Sequence, residues 1–298
     1  MSEQKMERRG FLRAAAAGAA GVAALGLPAP ARAERRAGRE GGPAPAGGVR
    51  LGVASYSLRN FPRAKAIEMI QALRTPYVNI KSVHLPYDLS PAEIAAARRE
   101  FETAGLKIVG GGTITFDEDS DAGVQRYFDY ARAAGMPLMV VTGAPAVFPR
   151  VERFARRYDI RVAIHNHGPE DEHFPSPYDA LKVVRGMDPR MGICMDIGHT
   201  ERAGVDPVQA AADAGPRLLD MHAKDLSELR VKESQVAVGE GKIPFAALFR
   251  QLERQRYPGY VNLEYEVHPE DPMPGMRESF AYMRGCLAGL ATARAPAR

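Results

Sequence analysis

The sequence predicts one α/β domain, a (β/α)₈ TIM barrel, set behind an N-terminal signal and a linker. Three observations predict it. Eight short apolar or β-branched runs alternate with longer amphipathic stretches, the pattern of βα units around a parallel sheet. They fill residues 49–292, close to the roughly 250 residues typical of such barrels. The histidines gather at the C-terminal ends of the runs, where this fold places its chemistry. With 45% hydrophobic and 26% charged residues, the composition excludes a disordered or collagen-like chain.

In chain order, the first element is a targeting segment at 1–33. Glu7-Arg8-Arg9-Gly10-Phe11-Leu12-Arg13 precedes an Ala/Gly-rich run that ends in Ala31-Arg32-Ala33, an A-x-A cleavage pattern. It resembles a twin-arginine signal, which implies the twin-arginine export machinery as a partner and a periplasmic or cell-envelope location. The run lacks the large apolar side chains of a lipid-surface helix or a membrane span, so no stable span is expected in the mature protein. Cleavage after Ala33 would lower the formal charge from +4 to +1, which leaves little basic character for nucleic acid. Residues 34–48 (ERRAGREGGPAPAGG) carry no apolar periodicity and are expected to form a flexible linker.

The predicted strands are 49–54, 76–81, 106–110, 137–142, 161–165, 191–196, 217–222 and 259–265. Helices fill the gaps. Ser90-Pro91-Ala92-Glu93 supplies a cap, a proline in the first turn and an acid for the box, and Asp206-Pro207 opens a later helix similarly. No G-x-G-x-x-G follows the first strand, which disfavours a doubly wound dinucleotide fold; the triple glycine at 110–112 comes only after the third. Cys194 and Cys286 do not make a disulfide framework and are expected to be buried free thiols.

The seven histidines, His84, His165, His167, His173, His199, His222 and His268, all fall at or beyond predicted strand ends, none in a predicted helix. His173 and His268, taken singly, are expected to be ordinary hydrogen-bonded side chains. Four apolar runs end in groups able to bind a metal: AIHNHG (163–168), CMDIGHT (194–200), DMHAKD (220–225) and NLEYE (262–266).

Asp196 with Gly198-His199, His222 with Lys224-Asp225, Val238-Gly239-Glu240-Gly241 and Glu264 together resemble the second half of the xylose-isomerase-like TIM barrels, the sugar isomerase and epimerase family. The resemblance extends in element order back to Ser55-Tyr56-Ser57-Leu58-Arg59. It implies one divalent metal ion held by a side chain from each of the last four strands, usually Glu, Asp, His and Glu. Carried onto this chain, the ligands are His165, Asp196, His222 and Glu264. His165 is a departure, because the sugar epimerases have a catalytic glutamate there. Two imidazoles and two carboxylates shift the preference from Mg²⁺ towards Mn²⁺, Zn²⁺, Co²⁺ or Fe²⁺.

The chemistry implied is removal of a proton beside a carbonyl, with the resulting enediolate stabilised by charge. Glu264, His165 and His199 are the catalytic candidates. Lys81, His84, His167, Lys224 and Arg59 are expected to bind a carbohydrate substrate, with His84 and Lys81 as further acid or base candidates. Lys224 and Asp225 can equally be a local ion pair that orders the loop after the seventh strand. Glu266, two residues past Glu264, is expected beside the site. The leading expectation is a metal-dependent isomerase or epimerase of a sugar or keto-sugar. The alternatives are a lyase or hydratase of 3-keto sugars or inososes, a non-catalytic sugar-binding protein and, least supported, a DNA repair nuclease.

Overall fold

The computed structural model describes residues 48–293. The signal expected at 1–33 and the linker, apart from its last residue, lie outside the described residues. Among the described residues there are ten strands: β1 (Arg50–Ala54), β2 (Tyr77–Ile80), β3 (Lys107–Phe116), β4 (Leu138–Gly143), β5 (Arg161–His165), β6 (Met191–Asp196), β7 (Leu218–Ala223), β8 (Asp225–Leu226), β9 (Gln235–Val236) and β10 (Tyr260–Leu263). Eight of them close a barrel in the order β1-β10-β7-β6-β5-β4-β3-β2, and its pairings are all parallel. The expected (β/α)₈ barrel is therefore the fold. β8 and β9 form a separate antiparallel ribbon beyond β7, which the sequence pattern did not suggest.

Helices α1 (Arg63–Ala72), α2 (Pro91–Thr103), α3 (Asp121–Ala133), α4 (Phe148–Tyr158), α5 (Pro177–Val184), α6 (Ile197–Arg202), α7 (Pro207–Ala214), α8 (Phe245–Arg254) and α9 (Met273–Thr292) accompany the strands. The caps form as the sequence dictates. Ser90 accepts from the Glu93 amide while the Glu93 carboxylate accepts from the Ser90 amide, and Asp206 accepts from the Val208 amide. Such caps are worth about 1 kcal/mol each. Phe101, Phe128, Phe148 and Phe245 are fully buried in the main apolar core, and each contributes roughly 1.5–3 kcal/mol by leaving water. Among the described residues, no helix is long and apolar enough to cross a membrane.

Most strand ends fall within a residue of expectation; the larger departures are at β3, β10 and α6. β3 continues through the triple glycine to Phe116 rather than stopping at 110. Gly112 has φ +138°, and a Cβ there would collide with the Val140 carbonyl, so glycine serves close strand packing rather than ending the strand. β10 ends at Leu263, which makes Glu264 the first residue beyond it. His199 lies inside the short helix α6, which corrects the expectation that no histidine is helical. Its helix starts directly at the end of β6, so the residue still stands on the strand-end face.

Candidate metal centre

Alternation along a strand puts every second side chain inside the barrel. His165, Asp196 and His222 are the terminal or penultimate residues of β5, β6 and β7, and Glu264 follows β10. One donor atom from each of the four lies within 4.8 Å of the others, and all four residues are buried. The register fixes this ring, with Asp196 opposite His222 and Asn262 also opposite His222 in the barrel ladder.

Asp196 is held from three sides. Its amide donates to Asn166 Oδ1 at 3.0 Å, while its carbonyl accepts from Thr200 Oγ1 at 2.6 Å and Asn166 Nδ2 at 3.3 Å. Its Oδ1 caps α6 by accepting the His199 amide at 2.9 Å, which leaves Oδ2 turned to the ring. The Glu264 segment is clamped as well. Ser57 bridges the Leu263 carbonyl and the Tyr265 amide, and the Gln235 side chain bridges the Glu264 carbonyl and the Glu266 amide. The 3₁₀ turn Ser55–Leu58 and the β8–β9 ribbon thus fix the position of this carboxylate.

Lys224 enters the same ring. Its Nζ donates to Asp196 Oδ2 at 2.8 Å and Glu264 Oε2 at 2.7 Å, and lies 3.2 Å from Glu266 Oε1. Burial opposes its charge, but Asp196 and Glu264 more than reverse that and hold the ammonium well above the usual lysine range. Burial likewise opposes ionised Glu264, yet His222 and Lys224 keep it well below the carboxylate range. Burial opposes ionised Asp196 as well, and the Lys224 ammonium helps hold it well below the carboxylate range.

The imidazoles are in a different condition. His165 Nε2 and both ring nitrogens of His222 are buried without a hydrogen-bond partner. His165 Nε2 lies 3.6 Å from Asp196 Oδ2, and His222 Nδ1 lies 3.2 Å from Glu264 Oε2, close approaches that fall short of aligned hydrogen bonds. Burial lowers the His165 pKa to about 4, so its lone pair is available at neutral pH. For His222, burial opposes the charge, but Glu264 raises the pKa above the ordinary value. Orphaned buried nitrogens are costly unless a ligand satisfies them, and two imidazoles converging with two ionised carboxylates are a donor set for a divalent cation. The residues present fit such an ion.

Around this ring the other sequence candidates divide. His199 stays close, its ring centroid 6.1 Å from that of His165 and 5.0 Å from that of His167. Burial pushes its pKa down to about 2, so it is neutral. Arg202 Nη1, which can only donate, lies 3.0 Å from His199 Nδ1, so the proton sits on Nε2. Lys81 Nζ lies 5.0 Å from the centroid of the Tyr56 ring, and burial lowers its pKa while Glu264 pulls the other way. Arg59 donates to the Glu266 carbonyl at 3.0 Å and stacks on Tyr56. His167 is largely exposed, with Nδ1 3.7 Å from Asp171.

His84 is set apart by its bonding. It is buried, and its two nitrogens face Ser55 Oγ at 3.0 Å and the Phe61 carbonyl at 3.1 Å. Lys224 does not pair with Asp225 as a local reading allows. Asp225 instead accepts the amides of Leu226, Gly239, Gly241 and Ile243, organising the loop that follows β9.

Sequence reasoning missed the polar layer one step below the ring. Asp220 accepts from Asn79 Nδ2 at 2.7 Å and from Asn262 Nδ2 at 2.8 Å. Burial raises its pKa to about 7. The signal was legible: Asn79, Asp220 and Asn262 each stand two residues before Lys81, His222 and Glu264, and so share their strand faces.

The sequence profile of the family described as "Xylose isomerase-like TIM barrel" matches residues 64–286. An uncharacterized protein of Methanocaldococcus jannaschii is 24% identical over 209 residues, 67% of this chain and 69% of that one. The 3-dehydro-D-guloside 4-epimerase of Escherichia coli is 44% identical over 48 residues, which span 16% of this chain and 18% of that enzyme. The crystal structure of a 3-keto-D-glucoside 4-epimerase from E. coli superposes with TM-score 0.66 at 17% identity, covering 80% of this chain and all of the other (100%).

Proposed function

The chain belongs to the xylose isomerase-like TIM barrel family, and from that premise we propose that it is a divalent-metal-dependent isomerase or epimerase of a sugar or keto-sugar. The observation that carries this reading is the convergence of His165, Asp196, His222 and Glu264, with imidazole nitrogens left unsatisfied among ionised carboxylates. A divalent ion bound there supplies the positive charge that acidifies a C–H beside a carbonyl and steadies the enediolate left by its removal.

The chain's own groups divide the remaining work. Glu264, kept ionised by His222 and Lys224 against the cost of burial, takes the proton from carbon. His199 holds a proton on Nε2 and is neutral, so it donates to a substrate oxygen rather than acting as the base. Lys224, once a substrate or ion takes up part of the carboxylate charge, is placed to donate to hydroxyls. His84 has both nitrogens engaged and drops out as a proton carrier. Lys81, its pKa lowered by burial, is the remaining group that can return a proton.

His165 in place of a second glutamate favours one alternative, a lyase in which Glu264 alone removes the proton from carbon and returns it to the β-hydroxyl, which departs as water. Incubation with 3-keto sugars and ketoses in D₂O separates the two: epimerisation puts deuterium on carbon without loss of water, whereas elimination gives an unsaturated product. Solvent exchange with neither class rejects both. Export by the twin-arginine route, motivated by residues 7–33, belongs to the same proposal and is tested by locating the mature protein after fractionation of the cell envelope.

A further inference from the structure

One layer below the ligand ring, the inward residues two positions earlier are Ala163, Cys194, Asp220 and Asn262. Asp220 and Asn262 bond to one another, and Ala163 offers no donor. Cys194 is fully buried, and its Sγ and a ring nitrogen from each of His165 and His222 lie within 4.8 Å of one another. These are the two imidazoles whose buried nitrogens have no hydrogen-bond partner. The carboxylates of the upper ring are, in the same structure, already bonded to the Lys224 ammonium at 2.8 and 2.7 Å. The donors left unengaged are therefore the two imidazoles, and the third atom facing them is sulfur.

We propose that His165, Cys194 and His222 form a second, sulfur-containing donor set that shares both imidazoles with the upper ring and binds a thiophilic divalent ion such as Zn²⁺, Co²⁺ or Cd²⁺ one layer deeper. The inference rests on the metal reading above and deepens it. A hard ion such as Mg²⁺ or Mn²⁺ needs the oxygens of Asp196 and Glu264 and must displace Lys224 from them. A thiophilic ion at the lower set leaves the Lys224 bridge in place. On binding, the S–H bond of Cys194 breaks, a sulfur–metal bond forms, the proton passes to solvent and the ion keeps its oxidation state. The barrel thus sorts ions by depth. Cys286, half-buried on α9, is the built-in control, because the chain has no third cysteine.

The test uses the full metal-free protein and Co²⁺ alone. The expected result is a thiolate-to-cobalt charge-transfer band in the near ultraviolet that persists in Cys286→Ser and disappears in Cys194→Ser. Cd²⁺ affinity should fall at least about tenfold in Cys194→Ser, the scale on which ligand-shell changes act, while Mn²⁺ affinity stays unchanged. If Cys194→Ser does not fold, X-ray absorption on the wild-type zinc protein gives the same answer through a sulfur scatterer at about 2.3 Å. Stoichiometric Co²⁺ without the band, a band that follows Cys286, or a zinc shell of nitrogen and oxygen alone overturns the lower set and leaves the proposed function standing. Protein that takes up no Co²⁺ overturns both.

Discussion

Lys224 donates to Asp196 Oδ2 at 2.8 Å with both side chains almost wholly removed from solvent, 5% and 0% exposed. A buried ammonium therefore already neutralises oxygens that a metal ion would need. Breaking such a pair by removing one partner leaves an uncompensated buried charge and costs about 3–5 kcal/mol. Lys224→Met is expected to lower the thermal stability of the metal-free protein on that scale. Mn²⁺ should restore much of the loss, because the ion replaces the missing charge. Its affinity should rise at least about tenfold, since no cation remains to be displaced. Thermal unfolding with and without Mn²⁺, together with titration calorimetry, reads both effects; weaker Mn²⁺ binding in the variant would assign Lys224 to some other task.

His222→Ala removes an imidazole from the centre of the donor ring. The purified variant should retain less than about a tenth of the wild-type divalent metal, since even outer-shell changes cost 10–100-fold in affinity. Metal analysis of the two proteins side by side makes the comparison, and equal contents would reject coordination at this ring.

Glu264→Gln keeps the shape of the side chain and removes the base. Deuterium incorporation from D₂O into an accepted substrate should fall roughly 10²–10⁴-fold, the usual contribution of a positioned acid or base. His199→Gln should cost less, because that residue supplies a hydrogen bond to oxygen rather than removing a proton from carbon. An exchange rate in Glu264→Gln near that of wild type would move the base elsewhere in the pocket.

The sequence exposed the barrel because each strand is a short apolar run, and it exposed Asp196 and His222 because those runs end abruptly in liganding groups. It hid what depends on distant pairing. Lys224 finds its partners 28 and 40 residues away, across three strand ends, so spacing within DMHAKD suggested the neighbouring Asp225 instead. The end of β3 was misplaced because glycine reads as a breaker until the close approach of Val140 supplies a reason for it. α6 has only six residues, too few to show a helical period, so His199 looked like a loop residue. Asn79, Asp220 and Asn262 were readable from two-residue alternation once the ring above them was known.

The acid stability of the metal-free protein carries a signature of His165. Its folded pKa of about 4 lies below the ordinary value near 6.5 because burial disfavours the imidazolium. The unfolded chain therefore binds the proton more readily, and folding gains from the neutral ring only above the unfolded pKa. That contribution is on the order of 3 kcal/mol, and it is lost as pH falls from 6.5 towards 4. His222, whose pKa is raised, acts in the opposite sense: its pairing with Glu264 is present at low pH and is lost as pH rises through the folded value. Denaturant midpoints across pH 4–7 should drop towards the acid end in the wild type and less steeply in His165→Asn. A parallel drop in both proteins would assign the acid sensitivity to other groups, His199 first among them, since its pKa is pushed down to about 2.

His165→Glu tests the departure at the fifth strand directly. The substitution exchanges an unsatisfied imidazole for a carboxylate beside Asp196 and Glu264, with Lys224 and an incoming ion as the available counter-charges. Without an ion, a fourth carboxylate joins Asp196, Glu264 and Glu266 around the one Lys224 ammonium, so the variant should be less stable than the wild type when metal-free, by a margin that grows as pH rises and the new group ionises. With an ion, the site gains a hard oxygen and loses a nitrogen, so Mg²⁺ and Mn²⁺ should bind more tightly relative to Zn²⁺. Competition between Mn²⁺ and Zn²⁺ measures that ratio without reference to activity. A rise in the Mn²⁺ preference accompanied by faster solvent exchange at carbon would assign the strand-5 position a share of the proton transfer. A rise in preference with unchanged exchange would confine His165 to coordination and leave Glu264 as the base.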